Sequence, residues 1–475
     1  MLFALILFLA ATLRLWRLDS VPPGFTHDEA GHGHDAVAIL HGARPIYERV
    51  GYGREPLYDY LVAGLMVLLG PTGHTLRFSP VPLGLVTLLA TFVWARLAFD
   101  RPTALAATAL QAASFWSLST SRQALRSGLL PALFTTAVYF YWRSAYGPTR
   151  ASASTSRHRP SRRQMGLFAL LIGATLYTYI PARVLWLVFP AFLVYLALLH
   201  RETFRRVWLP ALVAVLGGLL LATPLFAYLQ AHPEAELRLA MLDAPLQALM
   251  AGDVSVILNR AWSGLAGFLI PGRGDDFLAY TIPGRPVFDP LTGALFLAGV
   301  GLCLARWREP AYAFALIWFL VGISPSLVTG STASTTRSIA ALPVVFLFPA
   351  LAVVAGARWA ARWGSQAAWA VGLGFVGLTA VTGAISARDY FVTWGESPDV
   401  RAAYQHTLVE IAGYLDARPE GDLVALSTVY PHAPHDPYVL EMSLRRRDLA
   451  LRWFDGRQAL LIPPSFPPTG DAPPS

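Results

Sequence analysis

Long apolar runs, separated by short polar loops, occupy most of the first 386 residues. A run of about 20 apolar residues is the length of an α-helix that crosses a bilayer, whereas a membrane β-strand needs only about 10 residues of alternating character. The pattern predicts an all-α polytopic membrane protein with about 11 to 13 transmembrane helices. The candidate segments are 2–18, 57–70, 76–99, 103–119, 128–146, 164–180, 183–199, 207–229, 289–306, 311–327, 338–356 and 366–386.

The pattern changes after Ser386. Apolar residues at helical spacing predict a helix over 400–416, and two short β-type runs, 423–429 and 459–462, predict strands. We therefore expect a small α/β extracytoplasmic domain over 387–462. The final stretch, 463–475, holds six prolines and is expected to be disordered.

Composition supports the membrane assignment. The chain is 55% hydrophobic and 14% charged, with a mean hydropathy of +0.47, whereas a soluble domain carries about 25% charged residues. The single cysteine, Cys303, excludes a disulfide framework and a cysteine-based metal site. The first run, 2–18, lacks a basic start and a clear cleavage site, so we interpret it as a retained span.

All 37 basic residues are arginines, and their placement indicates the orientation. Positively charged loops between spans stay in the cytoplasm. Membrane topology therefore explains the net charge of +8, which does not indicate nucleic-acid binding. Four basic loops can share that side, because an even number of spans separates each pair: 143–163, 201–206, 306–308 and 358–362. The opposite, outer side then holds 19–56, 120–127, 230–288, 328–337 and the tail.

One parity problem remains near the N-terminus. Three apolar segments separate the outer loops 19–56 and 120–127, although two loops on one side require an even number of crossings. We expect one of the three segments to be re-entrant or interfacial, and the sequence does not decide which one.

The outer loop 19–56 carries the main candidate chemistry. Acidic residues are scarce in this chain, yet Asp28, Glu29 and Asp35 fall within eight positions. Three histidines, His27, His32 and His34, lie among them, and the tail adds His432, His435 and Asp436. A divalent metal site is one interpretation, although the glycines make the spacing loose. An ordinary solvated loop is the other.

Further charges lie on the outer side. Glu55 and Asp59 begin the next apolar segment, and Arg122 and Arg126 are four residues apart, which would put them on one helical face. Arginine binds phosphate oxygens in bidentate fashion, so carboxylates facing arginines suggest a phosphate-bearing ligand and a general base. The alternatives are that Arg122 and Arg126 only set the topology and that Glu55 and Asp59 are interfacial residues. The Gly272–Asp276 loop could equally be an ordinary turn.

These motifs together resemble the bacterial family 39 glycosyltransferases, which are membrane enzymes of the GT-C fold related to protein O-mannosyltransferases and to the aminoarabinose transferase of lipid A. The resemblance rests on Asp28-Glu29 after the first span, on Glu55-Pro-Leu-Tyr58, and on Ser121-Arg-x-x-x-Arg126. It extends to three further stretches, which are 177–183, 282–290 and 452–457. The chain departs from some relatives at Ser127-Gly128, where they carry an acidic residue, and at Arg54.

The resemblance implies an inverting transfer of a sugar from a polyprenyl-phosphate donor to an acceptor hydroxyl of a protein, glycolipid or polysaccharide. It implies Asp28, with Glu29, as the catalytic acidic motif and Asp28 as the general base. Substrate-binding residues on the same basis are Glu55, Tyr58, Arg122, Arg126, Arg183 and Arg337. No cofactor is certain, and a divalent metal stays possible.

Two other functional classes compete with this interpretation. A transporter or flippase of a lipid-linked or anionic substrate would also use outer arginines, but we find no internal duplication of the kind common in transporters. A scaffold that only presents the tail would not need the acidic cluster around Asp28.

Overall fold

A computed structural model describes residues 1–147, 159–237, 247–248, 250–418, 423–429, 433 and 435–458. Each apolar segment predicted from the sequence is helical in it. The helices of the first part are α1 Leu2–Leu15, α2 His27–Leu40, α3 Leu57–Leu69, α4 Gly73–Phe78, α5 Pro80–Ala98, α6 Arg101–Ala113, α7 Phe115–Thr120, α8 Leu129–Tyr146 and α9 Arg162–Thr175. The following ones are α10 Ala182–Leu185, α11 Val188–Leu199, α12 Arg201–Leu221, α13 Thr223–Ala231 and α14 Ser255–Ala266.

The remaining elements are α15 Pro290–Ala305, α16 Pro310–Thr329, α17 Ser334–Arg337, α18 Leu342–Ala360, α19 Ser365–Arg388, α20 Pro398–Ala403, α21 His406–Asp416, β1 Leu423–Ser427, α22 His435–Ser443 and β2 Ala450–Phe454. Within the described ranges, six helical stretches are long and apolar enough to cross a membrane, and α1, α3 and α15 are shorter apolar helices. The prediction of a helical polytopic membrane protein is confirmed.

Helix α3 offers an answer to the parity problem. Its 13 residues extend about 20 Å, which is short of the roughly 30 Å hydrocarbon core. The neighbouring stretch Gly73–Ala98 is long enough to cross. The 13-residue helix α6 continues past a break at Ser114 into α7. Helix α3 also packs along α2 and buries Asp59 near its start, so it is the segment that fits the interfacial role.

Aromatic side chains form the core between the long helices. Trp94 of α5 meets Trp318 of α16 with ring centroids 4.9 Å apart, and Phe134 of α8 lies 5.4 Å from the same indole. Phe189 and Phe314 extend this cluster towards α11. Dense packing of this kind fixes the helices that carry the outer loops.

The tail contains α-helices and strands, as predicted, but with different boundaries. The helix predicted over 400–416 is interrupted, because Gln405 has a positive φ of 50° and separates α20 from α21. Strand β1 confirms the run predicted at 423–429 and pairs in parallel with β2. The predicted strand 459–462 and the tail 463–475 lie outside the described residues.

Candidate functional site

The acidic motif begins helix α2. Thr26 caps the helix, because its hydroxyl accepts a hydrogen bond from the backbone N–H of Glu29 while the Glu29 carboxylate accepts one from the Thr26 N–H at 3.0 Å. This reciprocal capping box is the standard solution for the unpaired N–H groups of a helix start. The local sequence therefore fixes where the helix begins, and Asp28 lies in its first turn.

The two acids of the motif have different environments. Glu29 is fully buried, and its second oxygen accepts a hydrogen bond from the backbone N–H of Ala124 at 2.9 Å. Arg77 lies 3.8 Å from the same oxygen. Asp28 is exposed and accepts a hydrogen bond from the Tyr280 hydroxyl at 3.2 Å. Of the pair predicted as catalytic, Asp28 is thus accessible to a substrate, whereas Glu29 joins α2 to the segment before Arg126.

A buried histidine lies on the same face of α2 as Asp28. His32 is four residues further along, and its Nδ1 is 2.5 Å from Oδ1 of Asp59. Burial, together with the positive charges of Arg54 and Arg126, holds the pKa of His32 well below its ordinary value. The imidazole is therefore neutral at physiological pH.

Tyr58 supports this histidine. Its ring meets the His32 ring edge-on at 5.1 Å, and its hydroxyl is 2.6 Å from Oγ of Ser79. Tyr58 is fully buried. The residue predicted to bind substrate is thus packed behind His32.

Arg54 enters the cluster from the loop before α3. Its guanidinium forms a buried ion pair with Asp35 of α2. Burial opposes its charge, but Asp35 and Asp59 outweigh burial and raise the pKa of Arg54 above its ordinary value. A Cβ atom on Gly31 would lie 2.8 Å from Arg54 Nη1, so this glycine allows the arginine to approach the helix. The backbones of Glu48 and Arg54 pair in an antiparallel bridge. Burial raises the pKa of the Glu48 carboxyl to about 7.

A second charged cluster adjoins the first. The buried Glu55 carboxylate lies 3.4 Å from Nε of Arg126 and 3.7 Å from Nη2 of Arg183. Arg183 also pairs with Glu236 at 2.6 Å. Three predicted substrate-binding residues, Glu55, Arg126 and Arg183, are therefore brought together. Arg126 connects the two clusters, since its charge also acts on His32 and Asp59.

Arg122 does not face this site. Helix α7 ends at Thr120, and Arg126 begins a separate 3₁₀ turn, so the two arginines do not share one helical face as predicted. The Arg122 guanidinium donates hydrogen bonds to the carbonyls of Leu13, Arg14, Arg17 and Val21, at and after the end of α1. Such carbonyls lack partners within a helix, so this arginine caps α1.

Arg337 and the 272–276 loop form another region. Arg337 is partly buried and donates to the carbonyl of Thr329 at 3.4 Å. Asp275 accepts hydrogen bonds from the N–H and hydroxyl of Thr335. Arg337 is not among the charges that act on His32. These contacts favour local structure over membership of the α2 site.

The tail packs directly on α2, and this contact was not predicted from the sequence. His27 lies 3.0 Å from Asp436, and His34 lies 2.7 Å from Glu441 of α22. A Cβ atom on Gly33 would lie 2.4 Å from the sulfur of Met442, which explains why this position is small. His27 and His34 therefore contact α22. In the sequence, the alternation of glycine and histidine over residues 31–34 was the available signal that α2 packs closely against other elements.

The metal interpretation finds no support among the described residues. They contain no group of three or more histidine, cysteine, aspartate or glutamate side chains that could hold a metal ion. Residue His432 lies outside them.

Comparisons with known proteins place this geometry in context. No protein-family model matches the sequence. No curated protein sequence matches it significantly.

Solved structures do match the fold. The structure of ArnT from Cupriavidus metallidurans bound to undecaprenyl phosphate has a TM-score of 0.59 at 13% identity, over 93% of this chain and 85% of that one. The oligosaccharyltransferase AglB from Archaeoglobus fulgidus, in complex with an inhibitory peptide and a dolichol-phosphate, has a TM-score of 0.56 at 14% identity over 92% of this chain. The chain spans 63% of the length of that oligosaccharyltransferase. The chain therefore shares the GT-C fold of these two structures, and the predicted fold is confirmed.

Proposed function

We propose that the chain is an integral-membrane glycosyltransferase that moves a sugar from a polyprenyl-phosphate donor to an acceptor hydroxyl. The observation that carries this proposal is the exposed carboxylate of Asp28, at the start of a capped helix and beside a cluster of buried arginines. The fold supports it, since the matched ArnT structure is bound to undecaprenyl phosphate. The plasma membrane is the proposed location, with the site on the extracytoplasmic side.

Asp28 is the general base in this mechanism. A hydroxyl nucleophile needs a base within hydrogen-bond reach, and Asp28 is an accessible carboxylate. As the acceptor O–H bond breaks and the proton moves to Asp28, the acceptor oxygen bonds to the anomeric carbon. The bond from that carbon to the phosphate oxygen breaks in the same step, and the electron pair leaves with the polyprenyl phosphate. A single displacement inverts the anomeric configuration.

Arg126 and Arg183 stabilise the leaving phosphate. Each guanidinium group lies near a different carboxylate oxygen of Glu55, at 3.4 and 3.7 Å. Those separations are those of an ion pair and exceed the usual hydrogen-bond length. Fixed cations at the point where charge develops are typically the largest single contribution to such a step. Glu55 is the residue that holds both of them in place.

The remaining predicted residues have supporting roles. We propose that Glu29 positions α2, that Tyr58 supports His32, and that Arg122 caps α1. Residues 1–386 form the catalytic membrane domain in this proposal. Residues 387–462 form an extracytoplasmic domain whose helix α22 braces α2.

Sugar transfer by purified protein in lipid tests the proposal. A panel of polyprenyl-phosphate sugars is offered with hydroxyl acceptors of the protein, glycolipid and polysaccharide classes, and the anomeric configuration of the product is measured by NMR. We expect one donor to give an inverted product. Specific binding of a lipid-linked sugar with no turnover on any donor and acceptor would contradict the proposal and favour a transporter.

A further inference from the structure

Two buried side chains, His32 and Asp59, are paired one helical turn along α2 from the proposed base. The two are 27 positions apart in the chain and both are fully buried, with Nδ1 of the imidazole 2.5 Å from the carboxylate. A second buried carboxylate oxygen, Oδ2 of Asp59, has no hydrogen-bond partner among the described residues. A buried polar group of this kind is costly unless it serves another purpose.

The orientation of the imidazole follows from its surroundings. Side chains on an α-helix lean towards its N-terminus, so the His32 ring lies over the turn that carries Asp28, four residues earlier. The edge of Tyr58 limits rotation of the ring. In the tautomer whose Nδ1–H donates to Asp59, Nε2 keeps its lone pair and is the ring nitrogen left to face the turn that carries Asp28.

We propose that His32, held in this tautomer by Asp59, is a positioning residue that makes Asp28 a stronger base. The inference rests on the proposed function. A lone pair on Nε2 can accept a hydrogen bond from a protonated carboxyl group but offers nothing to an ionised one. It therefore stabilises Asp28 after it has taken the acceptor proton.

Other charged and titratable groups surround the same place, and the proposal has to hold in their presence. Those facing His32 are Asp28 and Asp35 on α2, Arg54 from the preceding loop, Tyr58 and Asp59 on α3, and Arg126. Tyr280 reaches Asp28 from the loop before α15. The charge of Arg54 interacts with that of Asp28, whereas His32 is a neutral partner beside both.

Asp59→Asn tests the proposal through the tautomer. The amide is nearly isosteric, but its N–H donates to Nδ1, which moves the ring proton to Nε2. The Nε2–H group then donates a hydrogen bond to the Asp28 carboxylate and stabilises its ionised form. We expect kcat to fall about 10-fold or more, and the acid limb of the pH–kcat profile to move down by about one pH unit, the worth of one hydrogen bond.

A second variant and a matched control complete the experiment. His32→Gln removes the lone pair on Nε2 while keeping a polar side chain, and we expect the same downward shift of the acid limb. Asp19→Asn makes the same chemical change in an exposed histidine–aspartate pair, His74–Asp19 at 2.6 Å, and should leave the profile unchanged. KM for the donor should change less than about threefold in every variant.

The outcomes separate this inference from the proposed function. An active wild-type protein whose acid limb stays in place in both Asp59→Asn and His32→Gln would overturn the role of His32 and leave the transferase proposal standing. Absence of transfer by the wild-type protein on every donor would instead defeat the proposed function itself. Loss of kcat without a shift of the limb would show a purely structural role and would also overturn the inference.

Discussion

Arg122 and Arg126 are four residues apart, yet they belong to different regions of the molecule. Arg122 is surrounded by backbone carbonyls at the end of α1, where its guanidinium replaces the missing partners of a helix terminus. Arg126 faces the Glu55 carboxylate beside Arg183. Arg122 is bonded to backbone carbonyls, which are permanent partners. Arg126 instead lies at ion-pair distance from the side chain of Glu55.

Residue type and spacing alone therefore do not assign a role to either arginine. Both residues are buried arginines in one short motif, and a helix through both would have aimed them together. The backbone turns after Thr120 instead. What separates the structural arginine from the proposed phosphate-binding one is the set of partners that each meets.

Arg126→Ala gives the largest expected effect on activity. Removing a group that stabilises developing charge typically costs about 100- to 1,000-fold in kcat, and we expect a loss of that size. Arg126→Lys should recover only part of it, because lysine cannot bind phosphate in bidentate fashion. Sugar-transfer kinetics measure this, with melting temperature as the control. Full activity in Arg126→Ala would remove this residue from the site.

Arg122→Ala should act on stability. The change removes the guanidinium that donates to four carbonyls at and after the end of α1 and opens a cavity, and we expect a loss of about 3 kcal/mol or more in the free energy of unfolding. The yield of folded protein and its melting temperature in detergent measure the effect. A variant that folds like the wild type but cannot bind donor would reverse our assignment.

Two glycine substitutions sharpen the same contrast. A Cβ atom on Gly84 would lie 2.5 Å from Cβ of Ser121. The Ser121 hydroxyl accepts a hydrogen bond from Arg14, near the end of α1. Gly84→Ala should therefore cost about 1–3 kcal/mol of stability through overpacking. A Cβ atom on Gly31 would meet the flexible end of Arg54.

Gly31→Ala should affect activity more than stability. The guanidinium can move aside, and helix propensity favours alanine by up to about 1 kcal/mol, so we expect little change in melting temperature. Displacement of Arg54 from Asp35 should lower the transfer rate by about 10-fold, the effect of roughly 1.4 kcal/mol in the barrier. Equal stability losses in the two alanine variants would erase the distinction between the regions.

The smallest effect concerns Glu48, which pairs with Arg54 through the backbone. Burial raises its pKa from 4.5 to about 7, so the folded state binds a proton more tightly than the unfolded one. This contribution to stability is present below pH 4.5 and is lost as pH rises through 7. The side chain is partly exposed, so we expect about 1 kcal/mol. Melting temperature against pH, compared with Glu48→Gln, measures it, and parallel curves would contradict it.

The sequence predicted the helices well because a long continuous apolar run is the direct mark of a helix that crosses a membrane. It also located Asp28 after the first helix, where the Thr26–Glu29 capping box is a local signal. The direction of Arg122 could not be predicted, because it depends on where a helix breaks. The His27–Asp436 contact joins residues 409 positions apart, and such contacts leave no periodic trace.

The division between the adjacent acids was equally hidden. Asp28 and Glu29 form one motif in the sequence, and only the fold shows that one is exposed and the other is satisfied by Thr26 and Ala124. The division matters for function, because a general base must be accessible to the acceptor, whereas a residue that joins two buried segments is not.

The most direct test measures sugar transfer and melting temperature together in Asp28→Asn and Glu29→Gln. We predict that Asp28→Asn loses about 100- to 10,000-fold in kcat, the contribution of a general base, with an unchanged melting temperature. Glu29→Gln should instead lower the melting temperature, since a buried carboxylate with several hydrogen bonds is lost. Full transfer by a folded Asp28→Asn protein would exclude Asp28 as the general base.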